Sequence, residues 1–139
     1  METNQIKKIK RDLHAYIDAQ GDWEYWLARW KEIQAGPSAP KLSGLPGGTS
    51  DGTQVERQAE TRAACKRQLD AAKDAKDAAL AQVCKLIAMA PTVQQRNVLR
   101  MRYLQNLTWE EIAERANRSR QRITTIHGNA LDSLRAAED

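Results

Sequence analysis

Side chains that can pair with DNA bases are concentrated near the C-terminal end of this 139-residue chain. Four arginines fall within eight residues there, and a glutamine and two threonines lie among and after them: Arg115, Arg118, Arg120, Arg122, Gln121, Thr124 and Thr125. Arg and Gln present paired hydrogen-bonding groups that match guanine and adenine edges in the major groove. We predict that the side chains facing outward at the start of the last helix contact bases: Arg120, Gln121, Thr124 and Thr125.

A second set of residues is predicted to contact DNA phosphates: Arg115, Arg118, Ser119, Arg122 and His127. Arg115 and Arg118 flank the turn before the last helix, where the DNA backbone would pass. Ser119 is first of all an N-cap, since its hydroxyl can accept a backbone N–H at the helix start. For His127, an exposed or capping role is the alternative.

The helices that position these residues are indicated by capping signals of the form Thr-x-x-Glu/Gln. There are three of them: Thr53 with Glu56, Thr92 with Gln95, and Thr108 with Glu111. They predict a long helix over 54–90, a helix ending near residue 104, and a short helix over 109–116. Leu107 and Ile112 have the spacing of a hydrophobic staple around the third cap.

The last two helices are predicted to form a helix-turn-helix. Asn117 tolerates the left-handed conformation and ends the short helix, and Ser119 starts a final helix to about residue 136. Two apolar stripes would face inward: Ile112, Ala113 and Ala116, and then Ile123, Ile126, Ala130, Leu131 and Leu134.

The N-terminal part is predicted to be a long helical hairpin over 1–90. Its first helix, 3–35, carries a seam at the 3-4 spacing of a coiled coil: Ile6, Ile9, Leu13, Tyr16, Gln20, Trp23, Leu27 and Trp30. A Gly/Pro-rich loop over 36–52 follows, in which Leu42 and Leu45 suggest packing. The sequence thus predicts an all-α fold with this hairpin at 1–90 and a three-helix domain at 91–139. Self-association through the hairpin, as a homodimer or a higher homo-oligomer, is expected.

Composition excludes several other classes. No apolar run approaches the roughly 18 residues of a membrane span, and the charged N-terminus does not resemble a secretory signal. Cys65 and Cys84 are too far apart on one helix to bridge, which favours a reduced, cytoplasmic chain. Two cysteines and two histidines, widely scattered, assemble no zinc site. We find no catalytic set, metal site or cofactor loop, and expect no enzyme.

The net positive charge of the chain lies in residues 53–139. Residues 1–52 carry 7 basic and 7 acidic side chains, residues 53–90 carry 7 and 5, and residues 91–139 carry 8 and 6. All eight basic residues of the last segment are Arg. The net charge of +4 is too small to indicate DNA binding alone, but its position supports it.

The segments 98–103 (VLRMRY) and 108–135 (TWEEIAERANRSRQRITTIHGNALDSLR) resemble the fourth conserved region of bacterial housekeeping sigma factors. That region reads the −35 promoter element. The resemblance implies that Arg120, Gln121, Thr124 and Thr125 occupy base-contacting positions. Gln121 and Thr124 stand where the sigma pattern has Glu and Arg, which predicts a target other than the −35 consensus.

As a whole, the chain resembles small phage proteins of the RinA and ArpU kind, which regulate late-gene transcription. They share a long N-terminal helix, a loop of the form L-S-G-x-P, here residues 42–46, and a second long helix. The resemblance implies a sequence-specific regulator of phage or prophage late genes in a bacterial host, with double-stranded DNA and RNA polymerase as partners. Two alternatives are a phage DNA-packaging protein like a small terminase subunit, and a sigma-like module that binds polymerase rather than DNA.

Overall fold

The structure is a computed structural model that describes residues 3–36 and 52–138. Five α-helices occupy these ranges: α1 (Asn4–Ala35), α2 (Gly52–Ala88), α3 (Val93–Tyr103), α4 (Trp109–Ala116) and α5 (Arg120–Glu138). The described ranges contain no strand. The all-α fold predicted from the sequence is confirmed.

Local signals account for most of the helix ends. Gly36 takes a φ of 74° just after α1, a conformation that glycine adopts without strain, and its N–H bonds to the Ile33 carbonyl. Pro91 follows α2, and Thr92 caps α3 by accepting the Gln95 N–H at 3.1 Å. The Gly/Pro-rich loop, with Leu42 and Leu45, and the Thr53 side chain of the first predicted cap lie outside the described residues.

The chain divides into two compact units, and one of them contains α3, α4 and α5. It comprises the residues up to Ala19 and those from Lys76 onward. Its larger core cluster joins residues from both long helices to α3 and α5: Ile6, Ile9, Leu13, Val83, Ile87, Ala90, Leu99, Tyr103, Ala130, Leu131 and Leu134. The first turns of α1 and the last turns of α2 therefore share one core cluster with α3 and α5.

The other unit, Gln20–Ala75, has few buried side chains among its described residues. Cys65 and Leu69 are buried on α2, while the three tryptophans of α1 are only half-buried. The Lys66 ammonium lies 5.6 Å from the centre of the Trp30 ring, a cation–π contact between α1 and α2.

The predicted seam of α1 is buried to different degrees along its length. Ile6, Ile9 and Leu13 are buried, whereas the seam positions from 16 to 30 are half-buried.

Both cysteines are free thiols. In the described ranges, no helix has a stretch long and apolar enough to span a bilayer. The division at residue 90 and the coiled-coil hairpin as a whole stay predictions.

Candidate DNA interface

The short helix α4 begins with the capping box that its sequence predicts. The Thr108 hydroxyl accepts the Glu111 N–H at 3.1 Å, and the Glu111 carboxylate accepts the Thr108 N–H at 2.9 Å. Hydrogen bonding to the carboxylate favours its charged form, so the Thr108 backbone N–H, and after it the Thr108 side chain, lower the pKa of Glu111. Leu107 and Ile112 belong to the same apolar cluster, as the predicted staple requires.

The turn between α4 and α5 is fixed by backbone and side-chain bonds. Asn117 adopts the left-handed conformation, with φ 56° and ψ 47°, and its N–H bonds back to the carbonyls of Ala113 and Glu114. The Arg118 N–H reaches the Ala113 carbonyl at 3.0 Å. Ser119 then caps α5 by accepting the Arg122 N–H at 3.0 Å. The helix-turn-helix boundaries predicted from Asn117 and Ser119 are confirmed.

An apolar cluster under this turn holds α5 against α3 and α4. Its buried members are Val98, Ile112, Ala113, Ile123 and Ile126, with Met101, Leu107, Trp109 and Ala116 packed against them. Both predicted inward stripes lie in the interior, with Ala116 half-buried at the edge. Arg102 contacts two members of this cluster. Its guanidinium lies 4.4 Å from the centre of the Trp109 ring, and its Nη1 donates a hydrogen bond to the Leu107 carbonyl at 2.9 Å.

The predicted base-contacting residues share the exposed surface of the first turns of α5: Arg120, Gln121, Thr124 and Thr125. Both threonine hydroxyls donate to the Gln121 carbonyl, at 2.9 and 3.0 Å. Their protons are thus directed to the helix backbone, while their acceptor lone pairs and methyl groups remain available. Acceptors and methyl groups are what a major-groove reader needs against base amino groups and thymine methyls.

Arg120 is held by a residue that the sequence argument did not connect to it. Its Nη1 lies 3.0 Å from Glu110 Oε1 of α4 in an ion pair, and the two side chains are 62% and 64% exposed. The only available signal was a pair of opposite charges on either side of the turn, and such pairs are too common to identify a contact.

Four of the five predicted phosphate contacts are exposed around the turn: Arg115, Arg118, Ser119 and Arg122. Arg115 also donates to the Gln105 side chain at 3.2 Å. Arg115 and Arg118 line an open groove of about 450 Å³ that also includes Arg100 of α3. Arg100 was missed from the sequence, because it is ten residues or more from the cluster and only the fold brings it near.

His127 is placed differently from the others. Only 7% of it is exposed, and its Nε2 forms a 2.7 Å hydrogen bond with the Tyr103 hydroxyl. Trp109 meets the imidazole edge-on, with ring centres 4.7 Å apart. An exposed role for His127 is therefore wrong, since α5 turns this side chain toward α3. The contact between His127 and a DNA phosphate stays a prediction, and the burial of the imidazole disfavours it.

Comparison with known protein families identifies this part of the chain. Residues 92–136 match the family described as sigma-70, region 4. The match covers about a third of the chain's 139 residues, from the cap of α3 into the last turns of α5. No curated protein and no solved structure matches the chain. The C-terminal residues thus form a sigma-70 region 4-like helix-turn-helix, a DNA-binding type of domain.

Proposed function

We propose that this protein is a sequence-specific DNA-binding regulator of transcription that inserts the start of α5 into the major groove. The observation that carries this proposal is the exposed first turn of α5, where Arg120 and Gln121 lie at the start of a helix that is capped by Ser119. The N-terminal turns of the second helix are where helix-turn-helix proteins contact base edges. The apolar cluster beneath α5 supports this role, because it fixes the angle of the helix.

The DNA backbone would pass over the arginines that flank the turn. Arg115 and Arg118 line one open groove, and Arg122 is exposed in the first turn of α5. Each phosphate contact of this kind adds a sequence-independent, salt-sensitive increment to binding. The groove also presents Arg100, so α3 would contribute to the same contact surface.

The regulated genes are proposed to be late genes of a phage or prophage, with RNA polymerase as a partner. This rests on the resemblance of the chain to RinA- and ArpU-like proteins. Self-association is proposed through the helical hairpin at 1–90, where Tyr25 of α1 is 62% exposed beside the half-buried Trp26. This proposal rests on the coiled-coil spacing of the apolar positions of α1, which is typical of helices that associate.

Binding-site selection from random DNA with the full chain tests this proposal, followed by titration of the selected site at two salt concentrations. The expected result is a defined motif bound at least about a thousandfold more tightly than unrelated DNA. Sedimentation of the complex distinguishes the alternatives. A monomer or dimer at a promoter supports regulation, and a large ring would indicate a packaging protein. Polymerase binding without any DNA binding would indicate a polymerase-binding module.

A further inference from the structure

The ion pair between Glu110 and Arg120 lies inside the proposed base-reading surface. It joins α4 to the first residue of α5 at 3.0 Å, in a place where both side chains are still mostly open to solvent. The first turn of α5 has no acidic residue of its own, although a helix start carries partial positive charge. Glu110 therefore supplies negative charge to an α5 start that carries several arginines.

This contact leaves Arg120 able to read a base. A guanidinium has five N–H donors in one plane, and the Glu110 carboxylate engages Nη1. The edge formed by Nε and Nη2 remains free to make the paired bonds to guanine O6 and N7. A guanidinium already oriented by a neighbour loses less conformational freedom when it binds.

The same carboxylate also disfavours wrong placements of DNA. Phosphates that approach the start of α5 in a misaligned register come close to Glu110, and juxtaposed like charges are costly. Specificity commonly depends on such a repulsive element in addition to the attractive contacts. Glu110 would thus lower affinity for unrelated DNA more than affinity for the cognate site.

We propose that Glu110 is a specificity-determining residue, which positions the Arg120 guanidinium for one base pair and repels phosphates from non-cognate placements. This rests on the proposed DNA-binding function. It assigns a DNA-facing role to an acidic residue on α4, outside the helix that carries the base-contacting side chains.

The test is Glu110→Gln in the full chain, with Asp132→Asn as the matched control. Asp132 is also an exposed carboxylate, but it is twelve residues further along α5 than Arg120, about 18 Å at ~1.5 Å per residue. We expect Glu110→Gln to bind unrelated DNA about threefold to tenfold more tightly. Discrimination at a single base pair should fall by about fivefold, the lower end of what one paired contact provides. The control should change neither quantity by more than about twofold.

A double variant tests whether Glu110 acts on the selected motif through Arg120. In an Arg120→Ala background, Glu110→Gln should leave the selected motif unchanged, because the side chain that Glu110 positions is already gone. If the parent selects a motif and Glu110→Gln matches it in both motif and non-specific affinity, the inference about Glu110 is overturned and the DNA-binding proposal stands. A uniform gain in affinity with an unchanged motif also overturns it. If the parent selects no site, the DNA-binding proposal itself fails.

Discussion

Replacing Leu13 by Ala tests whether the start of α1 completes the core of the DNA-binding unit. Leu13 is fully buried in the cluster that contains Leu99 and Leu134 of α3 and α5. Truncating a fully buried Leu to Ala typically costs about 3 kcal/mol, because apolar contact is lost and a cavity remains. We expect this loss of stability in the unit that contains the helix-turn-helix, although Leu13 precedes the start of α3 by eighty residues in the sequence.

Amide hydrogen exchange is the appropriate assay, since it reports the stability of α3 and α5 separately from the rest of the chain. A loss of about 3 kcal/mol corresponds to a fall in protection on the order of 100-fold for the most slowly exchanging amides. Leu27→Ala is the matched control, because it makes the same substitution at a half-buried position of the same seam. It should leave α3 and α5 protected as in the parent.

Two results would refute this reasoning. One is unchanged exchange of α3 and α5 in Leu13→Ala. The other is an equal loss of protection in both variants, which would mean that α1 stabilises the whole chain without a specific role in this core.

Three further predictions concern the caps and contacts of the helix-turn-helix. Tyr103→Phe should lower the free energy of unfolding by about 1–3 kcal/mol in a denaturant titration, because it removes the hydroxyl bonded to the buried His127; an unchanged stability would mean that this bond is not maintained. Thr108→Ala should cost about 1 kcal/mol at neutral pH. Thr108→Ala keeps the backbone N–H but removes the side chain that also lowers the pKa of Glu111. The stability that this side chain gains from the charged carboxylate is present above the ordinary pKa of Glu and is lost as the pH falls through the folded pKa. The difference in unfolding free energy between parent and Thr108→Ala should therefore narrow in acid, and a difference that is independent of pH would contradict this. Arg118→Ala should weaken binding to all DNA sequences alike and reduce the salt slope by about one; a changed motif would instead place Arg118 on a base.

Local chemistry explains why the helix-turn-helix could be predicted from the sequence. The capping box at Thr108, the left-handed Asn117 and the cap at Ser119 each depend on residues within four positions of one another. All the residues that form each of these caps are therefore present in one short stretch of the sequence. The inward stripes of α4 and α5 follow from helical periodicity in the same way.

Contacts between distant segments could not be predicted in this way. The periodicity of α1 shows which face is apolar, but not that Ile6, Ile9 and Leu13 pack with α3 and α5. His127 lies two residues beyond Thr125, the last predicted base-contacting residue, and the rotation of α5 decides that it faces Tyr103 rather than solvent. The Glu110–Arg120 contact depends on how α4 crosses α5, which no local pattern specifies.

Binding-site selection with Arg120→Ala beside the parent chain tests the central claim most directly. If the start of α5 reads bases, the variant should lose preference at one base pair and bind the parental site about 1–3 kcal/mol more weakly. Preferences at the other positions of the motif should remain. Full affinity and an unchanged selected motif in Arg120→Ala would contradict the account, because the most prominent side chain of the proposed recognition surface would then contribute nothing to recognition.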